Sequence, residues 1–270
     1  MRVQIAGHEV YAYTGTRACE PAQPTVFFVH GAANDHGVFA LQSRYFAWHG
    51  MNVVAPDLPA HGRSAGDALP SVEAIAEWIV ATLDALKIAK AAVVGHSLGS
   101  LAALECAARH PQRVERLALI GPSVPMTVND DLLDAAARNE HVAYELINGW
   151  SFSPSGQLGG NQAPGMWMLG NAMRLIERCR DGVLSADLLA CHRYANGLQA
   201  AAAVQCATLV VIGTRDLMAP RRNAEALVAA LRDVKTVTLP ETGHAIMAER
   251  PGEVLDALRA FLTGAPSVGR

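Results

Sequence analysis

The chain of 270 residues is 51% hydrophobic and 17% charged, and its formal net charge at pH 7 is −3. This length suits one α/β domain, and the apolar fraction is ample for a large core. The near-neutral charge, without a run of Lys or Arg, argues against nucleic acid or an anionic membrane as a partner. No uninterrupted apolar stretch reaches about 20 residues and the start of the chain lacks a signal-peptide core, so we expect no membrane span and no export signal.

The cysteines and histidines favour neither a disulfide framework nor a metal site. The cysteines are scattered, and no pair has C-x-x-C spacing: Cys19, Cys106, Cys179, Cys191 and Cys206. This pattern is typical of free thiols in a reducing cytoplasm. None of the ten histidines pairs with another at helical i, i+4 spacing around a carboxylate, so we expect no bound metal.

Predicted strands and helices alternate along most of the chain. After an opening hairpin, short apolar runs predict strands at 25–29, 52–55, 91–94, 116–121, 208–213 and 236–240. Three-to-four-residue apolar spacing predicts a helix at 72–86, and further helices are expected at 38–49 and 100–109. The alternation implies a doubly wound, mostly parallel sheet of the α/β class, with the carboxyl ends of its strands at one edge.

The alternation stops between residues 122 and 204. This stretch holds no clear strand, and its apolar spacing predicts helices at 130–146, 167–178 and 185–198. We expect it to be a helical cap, inserted into the connectivity of the sheet and lying over its catalytic edge. The core domain then comprises residues 1–121 and 205–270.

The most informative motif is the pentapeptide Gly95-His96-Ser97-Leu98-Gly99. It lies between a predicted strand and a predicted helix, which is the setting of a G-x-S-x-G nucleophile elbow. The turn is so tight that the positions two residues before and after the serine must lack side chains. Its strained backbone lifts the hydroxyl off the sheet and aims the first N–H groups of the helix at the same place. Ser97 is therefore the predicted nucleophile.

Two polar side chains follow later strands at the same edge of the predicted sheet. Asp216 ends the run Gly213-Thr214-Arg215-Asp216, and His244 ends Glu241-Thr242-Gly243-His244. A serine hydroxyl needs a base within hydrogen-bond reach, and that base needs a group to orient it. The chain order serine, acid, histidine is the one expected after a nucleophile elbow in such a sheet. We predict that His244 takes the Ser97 proton and that Asp216 fixes the imidazole tautomer.

Two backbone N–H groups are expected to stabilise the oxyanion that forms during acyl transfer. One is the N–H of Leu98, the residue after the nucleophile. The other comes from the loop after the first parallel strand, His30-Gly31-Ala32-Ala33, where small residues let a carbonyl oxygen approach. Ala32 is the first candidate for this second donor and Ala33 is the alternative.

The chain resembles the α/β-hydrolase superfamily over nearly its whole length. The motifs that carry the resemblance are His30-Gly31, residues 57–64 (DLPAHGRS), Gly95–Gly99, Gly213–Asp216 and Gly243-His244. The resemblance implies an enzyme without a cofactor and an architectural 57–64 loop, in which His61 and Arg63 pack or form hydrogen bonds. The serine distinguishes the chain from the aspartate-dependent haloalkane dehalogenases and epoxide hydrolases. The run Ala32-Ala33-Asn34-Asp35 resembles small-molecule esterases, lactonases and C–C hydrolases.

The expected cap carries the specificity for a small-molecule substrate. Its many methionines and aromatic residues could line an adaptable apolar pocket, or they could pack on one another. The residues expected around the substrate are His96, Ala33, Met126, Trp167 and Met168. Several cap arginines, among them Arg174, Arg178 and Arg180, either reach a substrate carboxylate or lie on a solvated helix face.

Three functions fit this sequence. The first is hydrolysis of small to medium apolar carboxylic esters through an acyl-enzyme at Ser97. The second is hydrolysis of an enol-lactone, or of a C–C bond in a product of aromatic degradation, with the same triad. The third is a sensor that keeps the triad but uses the pocket to bind a small ligand. The intact triad favours an enzyme.

Overall fold

The computed structural model describes residues 1–160, 162 and 165–264. Its strands over these residues are β1 (Arg2–Ile5), β2 (His8–Tyr13), β3 (Thr25–Val29), β4 (Asn52–Pro56), β5 (Ala91–His96), β6 (Val114–Ile120), β7 (Thr208–Gly213) and β8 (Val234–Leu239). They form one sheet in the order β1-β2-β4-β3-β5-β6-β7-β8. The β1–β2 and β2–β4 pairs are antiparallel, and the remaining pairs are parallel. The predicted α/β class with a mostly parallel sheet is confirmed.

Helices cover both faces of this sheet. In chain order they are α1 (Ala40–Trp48), α2 (Val72–Ala85), α3 (Leu98–Arg109), α4 (Asp130–Ala137), α5 (His141–Ser151), α6 (Pro154–Gln157), α7 (Met168–Ile176), α8 (Val183–Arg193), α9 (Gly197–Ala203), α10 (Arg221–Ala230), α11 (Ile246–Glu249) and α12 (Pro251–Thr263). Phe27 and Phe28 of β3 point to opposite faces, because side chains alternate along a strand. Phe27 shares its core with α2, α3 and α10, and Phe28 shares its core with α1 and α12.

The elements that hold the predicted motifs lie close to their expected positions. Strands β3 and β7 have the predicted bounds, and α2 differs from its prediction by one residue. Strand β5 continues to His96 and α3 begins at Leu98, so Ser97 alone forms the corner between them. Helix α1 begins later than predicted, because a 3-10 turn at His36–Phe39 precedes it and is capped by the Asp35 carboxylate.

The inserted segment, residues 122–204, forms α4 to α9 and has a small hydrophobic core of its own. That core contains Leu132, Ala135, Ala136, Ala143, Ile147, Ile176, Leu184 and Leu188, together with Ala33 from the loop after β3. Each of these residues is at least nine-tenths buried. The segment is therefore packed internally, and Ala33 of the sheet domain contributes to that packing.

Two of the helix predictions in the inserted segment are wrong, because each predicted helix is two helices in the structure. The predicted helix at 130–146 stops at Ala137, and Asn139 turns the chain with a φ of 53° while its side chain accepts the Gly182 N–H at 2.7 Å. The predicted helix at 185–198 stops at Arg193. Tyr194 is extended there, and its hydroxyl bonds to Glu105 at 2.5 Å. Tertiary hydrogen bonds thus decide both breaks, and apolar spacing does not record them.

Among the helices of the described residues, none is both long enough and apolar enough to cross a lipid bilayer.

Candidate active site

The corner between β5 and α3 has the geometry of a nucleophile elbow. Ser97 has a φ of 54° and a ψ of −122°, in a region that residues with a side chain rarely adopt. Its N–H donates to the Ile120 carbonyl oxygen of β6 at 3.0 Å. A methyl group at Gly95 would overlap the Gly99 backbone, and one at Gly99 would overlap the Val29 carbonyl oxygen. The two glycines are therefore required by close backbone approach, as the motif predicts.

The loops after β7 and β8 bring Asp216 and His244 together. Oδ2 of Asp216 lies 2.7 Å from Nδ1 of His244, and both side chains are buried. Oδ1 of the same carboxylate accepts the backbone N–H groups of Met218 and Ala219, at 2.9 and 2.7 Å. A carboxylate can only accept here, so it places the imidazole proton on Nδ1 and leaves the Nε2 lone pair free.

His244 and Ser97 line one cavity. Nε2 of His244 is buried and has no hydrogen-bond partner among the described residues, so its bond to the Ser97 hydroxyl is not formed in this structure. Both side chains belong to the wall of the same cavity. The structure therefore brings the three predicted catalytic side chains to the carboxyl edge of the sheet, with Nε2 of His244 making no hydrogen bond to any described residue.

His96 connects the nucleophile elbow to the histidine loop. Its Nε2–H donates to the carbonyl oxygen of His244 at 3.0 Å, and the two rings lie 4.8 Å apart. Burial, together with the neighbouring His244, lowers the pKa of His96 to about 3. His96 therefore stays neutral and acts as a hydrogen-bond donor that fixes the backbone of His244.

The two candidates for the second oxyanion donor differ in what they already bind. The Ala33 N–H donates to Oδ2 of Asp187 on α8 at 2.9 Å, so it is not free to meet a substrate oxygen. Ala32 lies in the cavity wall. The Leu98 N–H is the first of α3, where no intrahelical acceptor exists. Ala32 and Leu98 are thus the pair that could face an oxyanion.

The cavity beside Ser97 has a volume of about 1010 Å³. Three of the residues predicted around the substrate line it, namely His96, Met126 and Met168. Two do not: Ala33 is bound to Asp187, and Trp167 is 73% exposed and lies against Gly170. Most of the wall is apolar and comes from the inserted segment, with Leu132, Ile147, Trp150, Leu175 and Leu188 among its residues.

Three of the arginines considered as substrate ligands are bonded to protein groups. Arg178 pairs with Asp35 at 2.8 Å, and Arg174 pairs with Glu177 at 2.9 Å. Arg180 donates to the Ser64 carbonyl oxygen at 2.8 Å. Arg178 and Arg180 thereby connect the inserted segment to loops of the sheet domain.

The 57–64 loop is held by buried polar contacts. Asp57 accepts hydrogen bonds from His36 and from the Arg63 N–H, and His36, Asp57 and Asp35 are the group whose ligand atoms could surround a metal ion. These side chains are already bonded within the protein, because Asp35 accepts from Gly37 and Arg178. Their arrangement thus has a structural explanation in which no ion takes part.

Two buried carboxylates near the site were missed at the sequence level. Asp187, on α8, bonds to the loop that holds Ala32, and Glu249, on α11, bonds to the Gly243 N–H beside His244. The one signal in the sequence was an acidic residue among apolar neighbours, as in Leu184-Ser185-Ala186-Asp187-Leu188. Such a residue is exposed on most helices, so the signal is weak.

A comparison with models of known protein families gives the family of the chain. The profile of the alpha/beta hydrolase fold family matches residues 24–251. The chain belongs to the α/β-hydrolase family. It is an enzyme of the hydrolase class, as the resemblance implied.

Relatives of this α/β-hydrolase include two pimeloyl-[acyl-carrier protein] methyl ester esterases. The chain is 32% identical to that of Chromobacterium violaceum over 252 residues, which cover 88% of the chain and 94% of the relative. It is 30% identical to that of Aromatoleum aromaticum over 247 residues, which cover 85% and 94%. An enol-lactonase from Burkholderia xenovorans has the same fold, with a TM-score of 0.86, 22% identity and coverage of 97% and 100%.

Proposed function

We propose that this α/β-hydrolase is a serine esterase that acts through a Ser97–His244–Asp216 triad. The observation that carries the proposal is the buried pair of Asp216 and His244, at 2.7 Å. Nε2 of His244 has no hydrogen-bond partner among the described residues, and His244 lines the cavity that Ser97 also lines. A neutral imidazole with Nδ1 bonded to a carboxylate is the arrangement that a general base for a serine requires.

In the proposed reaction the Ser97 oxygen attacks the ester carbonyl carbon while Nε2 of His244 takes the hydroxyl proton. The N–H groups of Leu98 and Ala32 stabilise the oxyanion that forms. His244 then gives its proton to the departing alcohol, which leaves an acyl-enzyme. Water, activated by the same imidazole, attacks the acyl carbon and releases the carboxylic acid. Asp216 stabilises the imidazolium in both halves of the reaction.

The proposed substrates are carboxylic esters with an apolar acyl part of medium length. A cavity of about 1010 Å³ with a mostly apolar wall can enclose such an acyl chain. Two relatives are named for the methyl ester of a pimeloyl-[acyl-carrier protein], which is consistent with a larger acyl part and a small alcohol. We assign the inserted segment the role of a cap, since it supplies Leu132, Ile147 and Leu188 to the wall.

The five free cysteines suit an enzyme of the reducing cytoplasm.

The test combines active-site labelling with a series of p-nitrophenyl esters. A fluorophosphonate should label the wild-type protein and not the Ser97→Ala variant. Each acyl methylene that enters the cavity should raise kcat/KM by up to about fourfold, because burial of a methylene contributes about 0.8 kcal/mol. The kcat/KM of the octanoate ester should therefore exceed that of the acetate ester. Equal turnover by wild type and Ser97→Ala would contradict the proposal, and turnover of lactones or vinylogous diketones without that of esters would replace the substrate class.

A further inference from the structure

Asp187 connects the inserted segment to the loop that holds the proposed oxyanion donor. Its carboxylate, 2% exposed, comes from α8, and its Oδ2 accepts two hydrogen bonds. One comes from the Ala33 N–H at 2.9 Å, and the other from Nε2 of His61 at 2.8 Å. Ala33 directly follows Ala32, so a single buried oxygen holds the peptide next to the donor.

The hydrogen bonds of His61 indicate that it is an imidazolium. Nδ1 lies 2.9 Å from the Pro59 carbonyl oxygen and Nε2 lies 2.8 Å from Asp187, so both ring nitrogens face acceptors and both must donate. Burial alone would lower the pKa of His61, but the Asp187 carboxylate outweighs it and the net shift is upward. The charge on Asp187 is thereby balanced inside the protein.

The neighbours of His61 are consistent with this assignment. The His30 ring lies 4.9 Å away, and its Nε2 accepts the Leu58 N–H at 3.0 Å while its Nδ1–H donates to the Gly31 carbonyl oxygen at 2.8 Å. Burial and the adjacent His61 lower the pKa of His30 to about 4, so His30 is neutral. Asp57 is a further charged group near His61, and its carboxylate also favours the imidazolium.

Ala33 has a strained backbone conformation, which its hydrogen bond to Asp187 helps to hold. Ala33 has a φ of 55°, in the left-handed region that a residue with a side chain adopts at a cost in free energy. Such a conformation persists only where the surrounding structure holds it. The Asp187 carboxylate provides that hold, because it binds the N–H of the strained residue itself.

We propose that Asp187, fixed by the His61 imidazolium, is a positioning residue that sets the Ala32 N–H for the oxyanion. The inference rests on the proposed serine-esterase function, since it concerns the oxyanion hole of that reaction. It assigns the inserted segment a part in catalysis besides forming the wall of the cavity. Asp187 does not touch the substrate in this proposal, and it acts through the Ala32–Ala33 backbone.

The main test compares Asp187→Ala and Asp187→Asn with a control carboxylate. Loss of one oxyanion donor lowers kcat by about 10²–10³-fold, so Asp187→Ala should approach that range while KM stays within about threefold. Asp187→Asn retains an acceptor oxygen for the Ala33 N–H and should recover at least about tenfold of the lost kcat. The control is Glu105→Gln, because Glu105 is equally buried and binds Tyr194 of the inserted segment but not the oxyanion loop.

The pH profile provides a readout that a purely structural role would not move. The kcat of the wild type should fall at alkaline pH as His61 loses its proton, since a neutral ring can no longer donate to both acceptors. His61→Gln keeps a neutral N–H near the position of Nε2, so its profile should lack that alkaline fall. Circular dichroism and thermal unfolding establish that each variant is folded. If Asp187→Ala does not fold, Asp187→Asn and the His61→Gln profile decide the question.

The outcomes separate this inference from the proposed function. Loss of activity in Ser97→Ala, with an Asp187→Ala kcat no lower than that of Glu105→Gln, overturns the positioning role alone. An alkaline fall that is unchanged in His61→Gln also overturns it. Activity that survives in Ser97→Ala removes the serine mechanism and this inference with it.

Discussion

Ala245 donates its backbone N–H to the Ser151 carbonyl oxygen at 2.7 Å. Ala245 directly follows His244, and Ser151 is the last residue of α5 in the inserted segment. The loop that carries the proposed general base is therefore hydrogen-bonded to the segment that forms the cavity wall. Glu249 strengthens this contact, because its Oε1 accepts the N–H groups of Gly243 and Ser153 at 2.9 and 3.1 Å.

Glu249→Ala should destabilise the protein and lower kcat. The substitution leaves the buried N–H groups of Gly243 and Ser153 without an acceptor, which costs on the order of 2–5 kcal/mol of unfolding free energy. Glu249→Gln keeps an acceptor oxygen and should lose much less. Urea unfolding measures the difference, with Glu225→Ala as the control because Glu225 is exposed on α10. Equal stability of the Ala and Gln variants would show that these bonds do not hold the loop.

Asp216→Asn should separate the two tasks of the Asp216 carboxylate. Its amide oxygen can still accept from Met218 and Ala219, whereas its NH₂ group would face Nδ1 of His244 and favour the wrong tautomer. We expect a folded protein whose kcat is about 10⁴-fold lower, compared with about 10⁶-fold for Ser97→Ala. Ester turnover and thermal unfolding measure the two effects. A kcat within tenfold of the wild type would indicate that another acid orients His244.

Two glycine substitutions should have opposite effects on stability. Gly99→Ala places a methyl group against the Val29 and His30 carbonyl oxygens, so we expect loss of the folded protein. Gly149→Ala, in α5, meets no atom within 4 Å and should raise the unfolding free energy by about 0.5–1 kcal/mol, because alanine favours a helix. Expression, circular dichroism and urea unfolding measure both variants. A stable Gly99→Ala protein would argue against the tight elbow.

Stability should decline below pH 6.5 because two buried histidines stay neutral in the fold. Burial lowers the pKa of His30 to about 4 and that of His96 to about 3, from 6.5 in the unfolded chain. A histidine whose pKa is lowered in the fold stabilises the fold above pH 6.5. That stabilisation is lost as the pH falls, because the histidine binds a proton in the unfolded chain and not in the fold. The slope of the unfolding free energy against pH should thus steepen below pH 6.5 and approach about 2.7 kcal/mol per pH unit near pH 5, where the unfolded chain binds two more protons than the fold.

Urea unfolding between pH 7.5 and 5 measures that slope. His30→Gln should reduce it by about half, since one of the two protons no longer contributes, while the exposed His49→Asn variant should keep it. A slope that is the same in His30→Gln and wild type would mean that His30 is not the neutral buried group.

The sequence predicted the sheet and the motif positions well because their signals are local. Continuous apolar runs marked β3 and β7, and the glycine spacing around Ser97 marked the elbow, where each residue type answers a steric need within a few positions. The meeting of Asp216 and His244 followed from the rule that loops after parallel strands share one edge of the sheet. These predictions needed no knowledge of distant contacts.

The inserted segment was less predictable because contacts remote in sequence shape it. Apolar spacing detected the helices but not the breaks at Asn139 and Tyr194, which depend on Gly182 and Glu105. Trp167 was expected beside the substrate on its aromatic character, but it is largely exposed to solvent and its ring lies near Gly170. A side chain's type indicates what it can contact, whereas its neighbours in the fold decide whether it does.

The three buried carboxylates limit how this enzyme can be recombined with its relatives. Asp187, Glu105 and Glu249 each take part in a hydrogen bond between the sheet domain and the inserted segment. A chimaera that exchanges residues 122–204 for those of a homologue would break such bonds unless both members of each pair travel together. A chimaera with foreign helices therefore needs one of two changes. Either positions 61, 105 and 249 also take the residues of the homologue, or the foreign segment receives Asp187, Tyr194 and Ser153 at the matching positions.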